Sequence, residues 1–155
     1  MNIFLDGPQH FNNLCAVVRT LEVFGVQRCF VYDPGRLVQP RYGKRRRRES
    51  RTISAGAFGR VELVRVLEPA TWLSQAPGRV VVTVPAAGAT PLSVFSFQAE
   101  DTIVFGGESQ GIQDAILELA DARVTIPQAG QTRSLNLSVA VGVVVYAAIT
   151  AIGAS

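Results

Sequence analysis

Along this 155-residue chain, apolar runs alternate with short clusters of Gly, Pro and Asp, and the period of each run predicts its element. Asn2 to Leu5 is a short apolar strand, stopped by Asp6-Gly7-Pro8. Asn12 or Asn13 is placed to cap a helix in which Leu14, Val17, Val18 and Leu21 recur at i, i+3, i+4 and i+7; Gly25 is placed to end it, and Arg19 points away from the stripe. Arg28 to Tyr32 is a second strand, closed by Asp33-Pro34-Gly35, and after a polar stretch Val61 to Val66 is a third. Pro69 to Ser74 predicts a short helix with Pro in its first turn and Trp72 packed inward.

Val80 to Val84 and Thr102 to Phe105 are runs of the kind buried on both faces of a parallel sheet. Each opens into a Gly-containing loop: the first into Pro85 to Pro91 with its Gly88 turn, the second into Gly106-Gly107-Glu108-Ser109-Gln110-Gly111. Ile112 to Ala120 is helical in character, Arg123 to Ile126 is a strand stopped by Pro127, and Ser134 onward is a final apolar helix. Strands alternating with helices predict a single α/β domain over residues 1–155 with a parallel sheet, whose ligand sits at the carboxyl ends of the strands.

The last segment is a contest between two helices. Ser134 to Ser155 carries no charge and is long enough to span a bilayer. Ser134, Asn136, Ser138 and Thr150 are polar, the stretch from Ala140 is rich in Ala, and no Lys or Arg follows to anchor the far side, which favours a helix buried in a core or subunit interface and no membrane attachment.

Composition narrows the class. With 48% hydrophobic and 17% charged residues the chain can offset its folding entropy, so wholesale disorder is excluded. Cys15 and Cys29 lie in apolar runs without further partners or a signal sequence, as expected of buried thiols in a cytoplasmic protein. A single His, His10, and no clustered Cys leave no spacing that suits a metal site.

The net charge of +3 conceals an uneven distribution. Residues 36–51 carry Arg36, Arg41, Lys44, Arg45, Arg46, Arg47, Arg48 and Arg51 against one acid, Glu49, so this segment is +7 and the remainder −4. Such an arm is either a grip for nucleic acid phosphates, with Tyr42 beside it to stack on a base, or a solvated loop.

Three segments, in order, resemble the signature motifs of the SpoU/TrmH branch of the SPOUT RNA methyltransferases: Asn13 to Thr20 running to Phe24-Gly25-Val26, then Ile103 to Gly111, then Ile126-Pro127 followed by Ser134 to Ala140. The resemblance implies transfer of a methyl group from S-adenosylmethionine to a ribose 2′-hydroxyl of RNA, by a homodimer whose C-terminal region forms a deep trefoil knot. It implies that loop backbone around Thr83, Val84 and Gly88, around Gly106 and Gly107, and around Ile126, Ser134 and Leu135 holds the cofactor, the glycines allowing close approach. By the same resemblance Arg19 stabilises developing alkoxide charge or positions the adjacent phosphate, since a guanidinium is too persistently charged to serve as a base. Asn13 holds the loop presenting Arg19, and Ser134 and Asn136 line the site. Glu108 either organises the second loop for catalysis or is a structural acceptor for backbone N–H groups.

The chain departs from the family pattern at Cys15, where Gly is common, at Phe11, where Pro is common, and at Gln128, where Met often stands; none of these is Arg19, Ser134 or Asn136. With no RNA-binding extension in this sequence, Arg41, Lys44, Arg45, Arg46, Arg47 and Arg48 are expected to grip the RNA together with the dimer surface. Arg133 to Ser138 followed by Val143 to Tyr146 is similar to the small TrmL type, which favours tRNA as substrate. The alternatives are a ribosomal RNA methyltransferase, including one conferring antibiotic resistance, a non-catalytic RNA-binding protein of the same fold, and a membrane-attached basic protein.

Overall fold

A computed structural model of the chain describes residues 1–38, 52–132 and 134–153. Arg41, Lys44, Arg45, Arg46, Arg47 and Arg48, the core of the predicted basic arm, lie outside the described residues.

Seven strands form one sheet in which every pairing is parallel: β1 (Asn2–Asp6), β2 (Arg28–Tyr32), β3 (Glu62–Val66), β4 (Val80–Thr83), β5 (Thr90–Pro91), β6 (Thr102–Gly106) and β7 (Ala122–Thr125), in the order β3-β2-β1-β6-β4-β7-β5. The chain winds outward from β1 through β2 to β3, then crosses back to build the other half around β6. The strand order therefore reverses beside β1, the position at which open parallel sheets place their ligands.

Helices cover both faces. On one, α1 (Phe11–Val23) and α4 (Leu137–Gly153) pack Leu14, Val17, Val18 and Leu21, and Val141, Val144, Val145 and Ala148, against Ile3, Leu5, Val31, Val81, Ile103 and Phe105. On the other, α2 (Pro69–Leu73) and α3 (Asp114–Glu118) bring Leu73 and Ile116 onto Phe4, Val82 and Val104. Trp72 packs inward as expected, its ring centroid 4.3 Å from that of Phe30 and 5.5 Å from that of Phe4. Each fully buried Leu, Val or Phe contributes about 1.5–3 kcal/mol. Alternate residues of β1, β4 and β6 serve opposite faces, which is why Ile3 to Leu5, Val80 to Val82 and Ile103 to Phe105 are unbroken apolar runs.

α1 ends as its sequence predicts. Gly25, at φ 76°, turns left-handed, its N–H donates to Glu22 O at 3.0 Å, and the N–H of Val26 donates to Leu21 O at 2.9 Å. The reciprocal pair satisfies carbonyls the helix leaves open.

Its start differs from the expectation. The helix opens at Phe11 after His10, and neither Asn12 nor Asn13 is the cap; the Asn13 side chain is drawn into contacts with distant segments. α4 likewise begins at Leu137, not Ser134. Asn136 closes it: its carbonyl accepts Ala140 N–H at 2.9 Å, and its Oδ1 accepts Ser138 N–H at 2.9 Å and Ser138 Oγ–H at 2.7 Å. α3 is shorter than Ile112 to Ala120, and the two-residue edge strand β5 lies within what reads as loop. Among the described residues no helix is long and apolar enough to cross a membrane; α4 spends Val141, Val144 and Val145 on the core instead.

Candidate functional site

Beyond the carboxyl ends of β4, β6 and β7 lies a cavity of about 560 Å³. Thr83, Val84 and Pro85 form one wall, Gly106, Gly107 and Glu108 a second, and Ile126, Gln128, Ser134, Leu135 and Asn136 a third; His10 and Asn13, from the β1–α1 connection, complete it. Phe105, Val124, Leu137 and Val144 give it an apolar floor. Its size falls in the range of roughly 300–1,000 Å³ typical of small-molecule sites.

The two adjacent glycines are required by chain packing. A Cβ on Gly106 would stand 2.3 Å from Gly111 C, and one on Gly107 would stand 2.3 Å from the carbonyl oxygen of Gly7. The loop after β6 is thus pressed against itself and against the loop after β1, so these glycines let chain approach chain. Their backbone also faces the cavity, consistent with a ligand held by main-chain groups. Gly107 N–H and Gly111 N–H each donate to the other's carbonyl, at 3.1 and 3.0 Å, fixing the loop's shape.

Glu108 ties this loop to the start of α1. Its carboxylate accepts the Asn13 Nδ2–H and Gln9 N–H, each at 2.8 Å, and His10 N–H at 3.3 Å. Partial burial pushes the carboxyl up, but the donors from Asn13, Gln9 and His10 together outweigh it and hold the group below the ordinary carboxylate range. A carboxylate so occupied is an acceptor that holds backbone. Asn13 then turns its Oδ1 to the Asn136 Nδ2–H at 3.0 Å, so a single relay runs from Glu108 through Asn13 and Asn136 to Ser138 at the start of α4. Asp6, buried at the end of β1, accepts the Gln113 N–H at 2.8 Å and its side-chain amide; burial raises its carboxyl more than these bonds lower it.

Of the residues expected to hold a cofactor, Thr83, Val84, Gly106, Gly107, Ile126, Ser134 and Leu135 all line the cavity. Gly88 does not; at φ 88°, with open space where a Cβ would be, it serves a left-handed turn farther along the loop. Of the residues expected to act in catalysis, Asn13, Glu108, Ser134 and Asn136 meet at the cavity. Arg19 is exposed on α1 and outside it, six residues and so about 9 Å of helix beyond Asn13. His10 and Thr125 line the site without having been singled out for it. The signal for His10 was its place in the connection from β1 to α1, next to the reversal of strand order.

A larger depression, of about 920 Å³, opens at the other end of the sheet between Met1, Phe24, Arg28, Arg60 and Ile152. Its cations are engaged, Arg28 with Glu62 and Arg60 with Glu22, each at 2.7 Å, and none of the Gly-rich loops reaches it. The smaller cavity is the better candidate because three strand ends converge on it at the place the topology favours.

Known proteins are similar to this chain in sequence and fold. The tRNA (guanosine(18)-2′-O)-methyltransferase of Aquifex aeolicus (strain VF5) is 28% identical over 150 residues, covering 94% of this chain and 67% of that enzyme. Other relatives matched along more than nine-tenths of this chain are longer still, and it spans 44 to 57% of their length. A solved structure concerned with the 2-OH methylation of C/U34 on tRNA superposes with a TM-score of 0.81 at 26% identity, covering 99% of this chain and 97% of that one. The SpoU methyltransferase AviRb from Streptomyces viridochromogenes, in complex with the cofactor AdoMet, shares the fold with a TM-score of 0.77 at 23% identity, covering 97% of this chain and 57% of that one. The model of the SpoU rRNA Methylase family matches residues 1–146, which includes every segment that builds the cavity, and the chain belongs to that family.

Proposed function

We propose that this chain binds S-adenosylmethionine in the cavity beyond β4, β6 and β7 and directs its methyl group to a ribose 2′-hydroxyl of RNA, with tRNA the favoured substrate. The observation that carries the proposal is the convergence, from three loops far apart in sequence, of Thr83, Val84, Gly106, Gly107, Ile126, Ser134 and Leu135 on one cavity. The fit to the cofactor is chemical as well as spatial. Main-chain groups at Gly106, Gly107 and Ile126 suit the polar edges of a nucleoside, and Leu135, Leu137 and Val144 offer apolar surface to its base. The bound sulfonium supplies an activated methyl group, so the protein's task is orientation and proton management.

Asn13, Ser134 and Asn136 stand where the ribose enters, with Asn13 and Asn136 fixed by the Glu108 relay. Arg19, lying outside the cavity of its own chain, holds the phosphate next to the reacting ribose, a task suited to a permanently charged, planar group. The basic arm around Arg45 to Arg48 grips RNA by charge. Exposed Val139, Val143 and Tyr146 on α4 and Val23 on α1, the last two 61% and 69% exposed and connected through Phe24, form an apolar strip that a second copy covers in a homodimer. The deep knot of the family is proposed for the loops that enclose the cavity, and two buried, unlinked cysteines support a cytoplasmic setting. Tight agreement along the whole chain with a structure concerned with tRNA supports tRNA over ribosomal RNA.

The test is transfer from methyl-labelled S-adenosylmethionine to tRNA and, separately, to ribosomal RNA, with nuclease mapping of the label. A labelled 2′-O-methyl nucleotide in tRNA is the expected result, and Arg19→Ala should cut it by about 100-fold while cofactor affinity is unchanged. Label confined to ribosomal RNA would replace the substrate, and cofactor binding without transfer to either would leave a non-catalytic RNA-binding protein.

A further inference from the structure

The loop after β6 supplies one wall of the cavity, and whatever holds that loop decides where the wall stands. Gly107, Glu108 and Gly111 line the cavity, whereas Ser109, exposed at the tip of the loop, does not. The reciprocal bonds between Gly107 and Gly111 close the base of the loop but do not by themselves fix its tip. The tip is fixed from the β1–α1 connection, through Gln9. Gln9 N–H donates to Glu108 Oε2 at 2.8 Å, and the Gln9 side chain reaches back, its Oε1 accepting Ser109 Oγ–H at 2.7 Å and Ser109 N–H at 3.2 Å. Each segment thus offers a side-chain acceptor to a main-chain N–H of the other, the reciprocity that closes a helix start in a capping box. The same two segments also meet where Gly107 lies against Gly7 and where Asp6 accepts Gln113 N–H at 2.8 Å, but those contacts are buried and belong to the core of the fold. Gln9 and Ser109 are both exposed, so their bonds add little to global stability. Gln9 is also outside the cavity and can affect a ligand there only through the loop it holds.

We propose that Gln9 is a positioning residue for the cofactor: by clasping Ser109 it holds the Gly107–Glu108 wall in the arrangement that binds S-adenosylmethionine. The proposal rests on the functional reading above, in which main-chain groups of this loop meet the cofactor. A ligand held by main-chain groups depends on where the chain stands, so the side chains that fix the chain from outside become determinants of affinity. Without the clasp the loop tip has more arrangements to give up on binding, and the loss falls on affinity rather than on the reacting atoms. A neutral amide suits the position. It supplies the acceptor that Ser109 needs without setting a second negative charge beside the Glu108 carboxylate.

The test is calorimetric binding of S-adenosylmethionine to the full chain, with steady-state methyl transfer to tRNA and thermal melts alongside it. Gln9→Ala, and Gln9→Asn, which keeps the amide but is a methylene short, should each raise Kd and the KM for S-adenosylmethionine about 10-fold. In both, kcat at saturating cofactor should stay within about twofold of the parent, and the melting temperature should stay close to the parent's. Ser109→Ala should weaken binding by about 3-fold, and Ser109→Thr, which keeps the hydroxyl, should bind as the parent does. Gln9→Ala combined with Ser109→Ala should bind no more weakly than Gln9→Ala alone, because the two remove one interaction. Parent affinity in both Gln9 variants overturns the inference and leaves the functional reading intact. Additive losses in the double variant overturn it too, as does a loss of affinity matched by a falling melting temperature. A parent protein that binds no S-adenosylmethionine overturns the functional reading, and the inference with it.

Discussion

At the carboxyl ends of the strands, loops are joined by a carboxylate, Glu108, satisfied by neutral donors around an open cavity. At the amino ends they are joined by a carboxylate satisfied by a cation. Asp101, wholly buried, accepts Arg79 Nε–H at 2.9 Å, Arg79 Nη2–H at 2.8 Å and Gln98 N–H at 2.8 Å, while the Arg79 guanidinium lies 5.4 Å from the Phe95 ring centre. Asp101 holds Arg79 in its charged form, raising its pKa mainly through their hydrogen bond. Both ends need glycine where chain meets chain: Gly106 against Gly111 and Gly107 against Gly7 at the first, and Gly78 at the second, where a Cβ would meet Glu100 O at 2.1 Å. The ends therefore share a means of locking loops and differ in what is locked. One end closes a loop onto the sheet, and at the other the loops that follow β4, β6 and β7 surround an open cavity.

Paired glycine substitutions separate the two ends by the largest effect. Gly107→Ala and Gly78→Ala each force a Cβ into a main-chain oxygen and should each cost about 1–3 kcal/mol in chemical denaturation. Only Gly107→Ala should also weaken binding of S-adenosylmethionine, by at least about 10-fold in calorimetry, because only there does the displaced main chain line the cavity. Equal affinities in the two variants would show that the β6 loop is not part of the binding site.

The ion pair acts on stability alone. Arg79→Met leaves buried Asp101 with the Gln98 N–H, and should cost about 2–3 kcal/mol, less than the ~3–5 of fully buried pairs because the Arg79 side chain is 32% exposed. Cofactor affinity should be unaffected. Asn13→Ala should be milder in stability, about 1–2 kcal/mol for two lost side-chain hydrogen bonds, and stronger in function, weakening the cofactor as Asn136 loses its partner. Thermal melts and binding titrations of the two variants should therefore rank in opposite orders.

Much of the scaffold was legible because it is written in local periodicity. The stripe Leu14, Val17, Val18, Leu21 and the apolar runs of β4 and β6 declare their elements without reference to anything distant. The site was legible in part, through motifs whose spacing marks loops. What sequence could not show is which loops touch. Asn13 reads as a helix cap until Glu108, 95 residues away, and Asn136, 123 residues away, claim both ends of its amide. Gly107 reads as a turn until Gly7 is found against it, and Gly88 reads as a ligand contact because its spacing cannot tell a turn from a wall.

The smallest effect expected is on pH dependence. Glu108 is held below its ordinary value in the folded protein, so its contribution to stability is complete above the unfolded carboxylate's range and is lost as pH falls through the lowered folded value. Asp6 has the opposite sign: its raised carboxyl favours the folded state below the ordinary range, and that preference fades as pH rises through the raised value. Denaturation midpoints between pH 3 and 7 should lose their acid-side fall in Glu108→Gln and steepen it in Asp6→Ala.

Entry of the ligand at the carboxyl ends of the strands can be seen directly by ultraviolet cross-linking of labelled S-adenosylmethionine followed by peptide mapping. Label is expected on the peptides carrying Thr83 to Pro85, Gly106 to Glu108 and Ile126 to Leu135. Label on Met1 and Asn2, Phe24 to Arg28, or Ile149 to Gly153 would instead place the ligand in the depression at the amino ends.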